Sequence, residues 1–281
     1  MSIITRIFLL TNSITVTFLV ILGILNMVVR MGLPFSFDIL VGPVVAGLFM
    51  GVAITLVVKH YLEKINKIEK DKQDVLIETQ REVIYKMGEV GESRSKETGA
   101  HVKRVAEYSR LLALLQGLTK EDAELLRNAS PMHDIGKVGI PDAILLKPAQ
   151  LTPEEFEIMK THTTIGYEIL KSSSRELLRA AAIVSHYHHE HWDGTGYPRG
   201  IKGRSIHLFG RITTIVDVFD ALSVDRVYKK AWELDQIIEF LKEGRGTKFD
   251  PDLLDIFLLN LDQFLEIKNR YIDDPLPAPS K

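Results

Sequence analysis

Histidine and acidic residues are concentrated in one short stretch of this sequence, residues 186–198. It reads His-Tyr-His-His-Glu-His-Trp-Asp-Gly-Thr-Gly-Tyr-Pro, with four histidines and two acidic residues among thirteen positions. Imidazole and carboxylate groups are ligands that suit zinc, iron and manganese. The glycines and the proline indicate a sharp turn rather than a continuing helix. We therefore predict a metal-binding loop; the alternative is a polar loop that is rich in histidine by chance.

Side chains of the same kind recur elsewhere in the chain. Glu97 and His101 are four residues apart in a helical pattern, so both face one side of the helix. Asp217 interrupts an apolar helical run, where a buried carboxylate needs a partner such as a metal ion. Taken singly, each such residue is more often structural than a ligand. The full set of candidates outside the loop is Glu97, His101, His133, Asp134, His162 and Asp217.

The elements that must position these residues are predicted to be helices. Thr119 and Thr152 are typical helix starts, the latter followed by proline and by a glutamate that can complete a capping box. Apolar residues recur at helical spacing in residues 177–184, 212–222 and 237–241, and strand-like alternation is scarce. We predict an all-α fold over residues 96–268, with a disordered tail at 269–281.

The N-terminal part has a different composition. Residues 7–29 and 39–58 are uncharged and apolar, and each run is long enough to cross a membrane as a helix. Five lysines follow the second run within residues 59–72, which favours a cytoplasmic location for that end. We predict a two-span membrane anchor over residues 1–58 in a bacterial inner membrane, with the rest of the chain in the cytoplasm.

Residues 59–95 are predicted to form a long charged helix. A narrow apolar seam over residues 61–90 departs once from heptad order, so a coiled-coil homodimer and a single helix packed along the next domain both remain open. The net charge of −2 argues against a nucleic-acid polymer as partner. The absence of cysteine excludes disulfides and thiolate metal sites.

The motifs together resemble the HD-GYP family of the HD phosphohydrolase superfamily. The resemblance covers residues 82–265 in order and spacing. It rests on His-Asp-Ile-Gly-Lys at 133–137, His-His-Glu at 188–190, Asp-Gly-Thr-Gly-Tyr-Pro at 193–198, Asp-Val-Phe-Asp at 217–220 and Arg-Val-Tyr-Lys at 226–229. Val227 departs from the family pattern, in which a proline is usual.

The resemblance implies a site with two or three divalent metal ions, iron or alternatively manganese. The implied ligands are His101, His133, Asp134, His162, His188, His189 and Asp217, with Asp134 bridging two ions and Glu97 available for a third. Lys137 is implied to lie near the scissile phosphate, and the implied substrate contacts are Lys137, Tyr197, Arg226 and Lys229. Asp134 and Lys137 are the implied catalytic residues.

The implied function is a metal-dependent phosphodiesterase that hydrolyses cyclic di-GMP to pGpG or GMP by attack of a metal-activated hydroxide. Two metals can clamp the attacking and leaving oxygens of such a displacement. One alternative is another cyclic dinucleotide as substrate. The other is an adaptor of low activity that binds cyclic di-GMP or a diguanylate cyclase.

Overall fold

The computed structural model describes residues 3–32, 37–94, 99–225 and 230–272. Within these ranges the backbone forms eleven α-helices and three short 3-10 helices, without a β-strand, so the predicted all-α fold is confirmed. The 3-10 helices are Ser130–Met132, Ile135–Gly139 and Gly203–Ser205. The α-helices are α1 (Ile3–Arg30), α2 (Phe37–Ser93), α3 (Gly99–Leu115), α4 (Lys120–Ala129), α5 (Asp142–Leu145), α6 (Pro153–Leu170), α7 (Glu176–Tyr187), α8 (Leu208–Ser223), α9 (Leu234–Glu243), α10 (Pro251–Leu259) and α11 (Leu261–Arg270).

The chain forms two compact units, Met1–Glu78 and Thr79–Lys281. The first contains α1 and most of α2. Most of the large apolar side chains that the structure describes in this unit are exposed, including Phe18 and Phe49, which are 61% and 73% exposed. Among the described residues, the segment Val44–Glu92 is long and apolar enough to cross a membrane, and Val16–Arg30 is a shorter apolar helix.

The second unit has a core of aliphatic and aromatic side chains. In it α3 packs against α4 and α8, and α6 packs against α7. The ring of Tyr108 lies edge-on to Phe219, with 5.5 Å between centroids, and Phe257 meets both Phe219 and Phe264. These rings lock α3, α8, α10 and α11 together, so residues on α3 and α8 are held on a rigid frame.

The predicted helix starts at Thr119 and Thr152 are confirmed. The Thr119 hydroxyl accepts a hydrogen bond from the amide of Asp122, and Thr152 forms the complete capping box with Glu155. The second cap fixes the start of α6, the helix that carries His162.

Two boundaries differ from the sequence-based ones. A single helix, α2, runs through residue 58, where the composition changes from apolar to charged. Helix α11 continues to Arg270, two residues into the segment expected to be a tail, and residues 273–281 lie outside the described part.

Candidate metal centre

Asp134 lies at the middle of a buried cluster of imidazoles. Its Oδ1 is 3.1 Å from Nε2 of His162 and 3.5 Å from Nε2 of His188. Its Oδ2 is 3.4 Å from Nε2 of His133 and 2.6 Å from Nζ of Lys137. The two carboxylate oxygens thus face two different sets of side chains, which is the arrangement that a bridging ligand requires.

The two sets of possible ligands are spatially distinct. Asp134, His162, His188 and His189 offer ligand atoms that all lie within 4.8 Å of one another, and so do Glu92, His101 and His133. Asp217 approaches the second set, since its Oδ1 is 3.8 Å from Nε2 of both His101 and His133. The structure therefore brings together all seven of the predicted ligands that belong to its described residues.

Hydrogen bonds on the far side of the rings fix which imidazole nitrogen faces the cluster. The Nδ1 atoms of His133, His162 and His188 lie 2.9, 2.7 and 3.0 Å from the carbonyl oxygens of Ser130, Met159 and Ser185. A carbonyl only accepts, so each Nδ1 carries the proton and donates it. The Nε2 lone pairs are then directed at Asp134, as in metal-binding histidines.

His101 is oriented in the same way by a carboxylate. Its Nδ1 lies 2.8 Å from Oδ2 of the buried Asp220, which also forms a two-pronged ion pair with Arg104 at 2.6 and 2.9 Å. Burial alone would raise the pKa of the Asp220 carboxyl, but the hydrogen bonds from His101 and Arg104 outweigh it and lower that pKa. Asp220 therefore stays ionised and holds the His101 ring.

The electrostatics of the cluster favour a cation at its centre. Burial opposes a charge on His133, but the carboxylates of Asp134, Asp217 and Glu92 outweigh burial and raise the pKa of the imidazole to about 10. Burial would raise the pKa of Asp134, but Lys137 and His133 hold it well below its usual range. The carboxylates thus attract positive charge to this position, whether it comes as a proton or as a metal ion.

The loop after α7 forms one wall of the cluster. The amide of Tyr197 donates to the carbonyl of His189 at 3.0 Å, and the two rings stack with 4.8 Å between centroids. The buried carboxylate of Glu190 accepts from the amides of Arg199 and Ile201 at 2.7 and 3.2 Å. Glu190 thereby holds the turn that presents Tyr197 to the site.

Comparison with known proteins agrees with this geometry. The HD domain profile matches residues 79–253, more than half of the chain. The chain belongs to the HD domain family. The match begins inside α2 and ends inside α10, so it includes every side chain of the cluster.

Curated relatives of this HD domain include several phosphodiesterases. The chain is 47% identical over 193 residues to a 3′3′-cGAMP-specific phosphodiesterase of Vibrio cholerae, covering 69% of this chain and 37% of that protein. It is 38% identical over 219 residues to a cyclic di-GMP phosphodiesterase of Thermotoga maritima, covering 77% and 60%. It is 39% identical over 194 residues to a cyclic di-GMP phosphodiesterase response regulator of Xanthomonas campestris, covering 69% and 51%. The chain thus spans about two fifths to three fifths of the length of these relatives.

The HD domain cluster fits divalent metal ions. With metal–ligand bonds of about 2.1 Å, two ligand atoms of one ion lie about 3–3.5 Å apart, as the atoms around Asp134 do. His133 Nε2 is buried and makes no hydrogen bond within the described residues, which is costly unless a cation occupies its lone pair. Burial lowers the pKa of His188 and His189, so both rings are neutral and able to ligate.

Three predicted site residues, Glu97, Arg226 and Lys229, lie outside the described residues. Three residues of the HD domain cluster were missed: Glu92, Arg104 and Asp220. Spacing gave a signal for two of them, because Arg104 and Asp220 follow the predicted ligands His101 and Asp217 by three residues and share their helix faces. The part played by Glu92 depends on where the end of α2 lies, which the sequence pattern did not show.

Proposed function

We propose that this HD domain is a metal-dependent phosphodiesterase that hydrolyses a cyclic dinucleotide, with cyclic di-GMP as the leading substrate. The observation that carries the proposal is Asp134, whose two oxygens face separate sets of buried ligands with Lys137 alongside. Bound divalent metals would supply an activated water and neutralise charge on the phosphoryl oxygens. Iron is the first metal to test and manganese the second, as both suit imidazole and carboxylate ligands.

The chain's own residues have distinct roles in this proposal. The four histidines held through Nδ1, together with His189 and the two carboxylates Asp134 and Asp217, would hold the metals. The Nζ atom of Lys137 lies 2.6 Å from Oδ2 of Asp134, and the side chain is only partly exposed. Its ammonium group would therefore face a phosphodiester bound at the centre. A fixed positive charge in a site that excludes water stabilises the negative charge that develops on the phosphoryl oxygens.

Aromatic side chains at the rim favour a nucleotide over a simple diester. The exposed ring of Phe156 lies edge-on to Tyr197 with 6.1 Å between centroids, and Nζ of Lys160 is 5.0 Å from the Phe156 centroid. Tyr197 in turn stacks on His189 inside the cluster. Exposed aromatic faces beside a cation stack nucleobases, each such contact contributing about 1–3 kcal/mol.

A second substrate, 3′3′-cGAMP, is supported by the names of several relatives. The 47% identical protein of Vibrio cholerae carries the name of a 3′3′-cGAMP-specific enzyme, whereas the Thermotoga and Xanthomonas relatives carry cyclic di-GMP in theirs. The two substrates differ in one purine base, so the phosphodiester chemistry at the metals would be the same for both.

The deciding experiment uses the full chain, purified without oxygen, loaded with Fe(II) or Mn(II) and assayed with cyclic di-GMP and 3′3′-cGAMP. We expect turnover of at least one substrate, and the ratio of kcat/KM values assigns the preferred one. Asp134→Ala should abolish turnover, while Asp235→Ala on the exposed start of α9 should not. A metal-loaded chain that hydrolyses neither compound would contradict the proposal.

We further propose that α1 and the start of α2 anchor the chain in a membrane. The support is the exposed apolar surface of these helices and the lysines that begin at residue 59. Homodimerisation through residues 61–90 stays a prediction, supported by the exposure of seam residues such as Ile65 and Leu76. Association with a diguanylate cyclase also stays a prediction.

A further inference from the structure

The last turns of α2 lie directly against the backbone that carries His133 and Asp134. A Cβ atom added at Gly88 would lie 2.5 Å from the carbonyl oxygen of Pro131, and one added at Gly91 would lie 3.3 Å from Cα of Ile135. The helix can approach this closely only because both positions lack a side chain. The segment from residue 88 to 94, which we call the α2 end, therefore forms a wall of the metal centre.

Glu92 extends from the α2 end into the cluster. It is 1% exposed, and its Oε2 accepts a hydrogen bond from Nζ of Lys137 at 3.0 Å. Lys137 thus lies between two carboxylates, since its Nζ is also 2.6 Å from Oδ2 of Asp134. Burying a second carboxylate costs free energy that only a specific contact can offset. The contact here is with the amine next to the predicted bridging ligand.

Arg94 holds the backbone of the same turn. Its Nη1 donates to the carbonyls of Lys137 and Val138 at 2.8 and 2.6 Å. Its Nη2 donates to the carbonyl of Ile140 at 2.9 Å and to Oδ1 of Asp142 at 2.5 Å. These carbonyls belong to the 3-10 turn Ile135–Gly139 and the residue after it, so one planar guanidinium fixes the segment that follows His133 and Asp134.

We propose that Glu92 and Arg94 are positioning residues of the metal centre. Glu92 sets the place of the Lys137 amine, and Arg94 sets the backbone of residues 137–140. This inference rests on the proposed phosphodiesterase function for its kinetic consequence, but the positioning itself can be measured without turnover. It also assigns the α2 end to the active site, although it precedes all of the ligands in the chain.

The alternative role for Glu92 is that of a metal ligand, because its Oε1 is 3.7 Å from Nε2 of His133. The two roles predict different results for Glu92→Gln. A positioning residue can be replaced without changing the number of metals bound per chain. The loss of a ligand would lower that number or leave one metal only weakly held.

In the positioning role, removing the Glu92 charge takes away the carboxylate that holds the Lys137 amine from the side opposite Asp134. The amine would then move towards Asp134 and away from the place where the phosphoryl oxygens bind. We expect Glu92→Gln to lower kcat by about 10- to 100-fold with little change in KM, in the range found for residues that orient a metal site from behind the ligands.

A double-mutant cycle tests whether Glu92 acts through Lys137. The full chain is assayed as wild type, Glu92→Gln, Lys137→Ala and the double variant. If Glu92 acts only on the amine, the double variant should be no slower than Lys137→Ala alone. Fully additive losses would show that Glu92 acts elsewhere and would overturn this part of the proposal.

Three measurements on the same proteins use no substrate. Metal content by elemental analysis should be unchanged in Glu92→Gln, and loss of one metal per chain would overturn the positioning role. Hydrogen exchange of the amides at 133–142 should become at least about tenfold faster in Arg94→Lys, because one ammonium cannot replace a planar fork that bonds three carbonyls. The acylation rate of Lys137, followed by mass spectrometry, should rise in Glu92→Gln, because the amine is then held less firmly.

Matched controls come from the same helix. Glu82 is exposed on α2, and Arg81 pairs with Glu124 at 3.1 Å, away from the cluster. Glu82→Gln and Arg81→Lys should leave exchange at 133–142, Lys137 acylation and metal content unchanged.

The two proposals fail in different ways. A metal-loaded wild type that is inactive would reject the phosphodiesterase function. Faster amide exchange in Arg94→Lys and faster Lys137 acylation in Glu92→Gln would still support positioning. Unchanged exchange in Arg94→Lys and unchanged acylation in Glu92→Gln would reject positioning, even in a fully active enzyme.

Discussion

At the scale of single residues, the cluster depends on side chains that form hydrogen bonds to the predicted ligands from outside the cluster. Asp220 illustrates this, because it contacts both His101 and Arg104 and is itself 1% exposed. Its charge keeps the His101 proton on Nδ1, so that Nε2 is available to the cluster. Partners of this kind affect metal affinity although they touch no metal.

We predict that Asp220→Asn lowers metal affinity by about 10- to 100-fold. An amide oxygen can still accept from one of the two partners, but it carries no charge to match Arg104. Loss of one member of a buried ion pair should also cost about 3–5 kcal/mol of unfolding free energy. Metal titration well below the unfolding midpoint separates the two effects. Asp235→Asn, on the exposed surface of α9, is the control and should change neither.

A second residue-scale prediction concerns the aromatic rim. Phe156→Ala should raise KM for a cyclic dinucleotide by about 5- to 100-fold, because one stacking contact contributes about 1–3 kcal/mol. It should leave kcat within a factor of about two, because Phe156 lies outside the cluster of ligands. Hydrolysis of a small diester without a purine base is the internal control. An equal rise in KM for both substrates would show that Phe156 stabilises the fold rather than binding the purine base.

The family resemblance predicted a set of ligands that lie together in the structure, but the sequence was less informative about the residues around them. His101, His133, Asp134, His162, His188, His189 and Asp217 all converge within the described residues. Glu92 was missed because its role depends on the three-dimensional approach of α2, which Gly88 and Gly91 permit. A glutamate in a charged helix carries no local pattern that distinguishes a buried side chain from a solvated one.

At the scale of elements, the centre depends on close contact between α6 and the 3-10 turn Ile135–Gly139. A Cβ atom added at Gly136 would lie 1.9 Å from the carbonyl oxygen of His162 and 2.6 Å from the amide nitrogen of Gly166. At Gly139, the nearest atom would be the flexible Cδ1 of Ile165, at 2.8 Å. Both glycines let the turn lie on α6, but only Gly136 faces backbone that cannot move aside.

This difference predicts a graded response. Gly139→Ala should lower the free energy of unfolding by about 1 kcal/mol, because the Ile165 side chain can rotate away. Gly136→Ala should cost about 3 kcal/mol or more and displace His162 from Asp134. Thermal unfolding and metal content of the two variants test the prediction. Equal losses of unfolding free energy in the two variants would contradict the prediction and show that the whole turn can move away from α6.

The elements themselves were predicted from local signals where such signals exist. The starts at Thr119 and Thr152 were correct because capping is decided by neighbouring residues. The boundary at residue 58 marks a change of composition without a change of backbone, since neither proline nor glycine interrupts residues 52–87. The helix therefore continues as α2 from Phe37 to Ser93.

At the scale of the whole molecule, the predicted metal ligands come from segments far apart in the chain. His101 belongs to α3, His162 to α6 and Asp217 to α8, while His133 and Asp134 lie between two 3-10 helices. Bound metal would link these segments and so stabilise the second unit against unfolding.

We predict that free metal at about 100 times its Kd stabilises the protein by about 2.7 kcal/mol. For a unit of this size, that corresponds to a rise in Tm of about 5–10 °C. The measurement is thermal unfolding of the full chain with Mn(II) and again after chelation. Asp134→Ala is the control, and an equal rise in that variant would show that the metal acts at another site.

The last prediction concerns the membrane. Leu48 and Val52 are exposed apolar residues on α2, at 55% and 58% exposure. Lysine at the centre of a spanning helix costs about 2.5–3.5 kcal/mol, so Leu48→Lys with Val52→Lys, combined with Leu22→Lys and Leu25→Lys in α1, should release the chain from membranes. The matched control is Val75→Lys with Leu76→Lys, at exposed apolar positions within the charged segment of the same helix. Carbonate extraction of membranes should retain the wild type and the control but not the first variant. If carbonate released the wild type and both variants equally, residues 39–58 would not span a membrane.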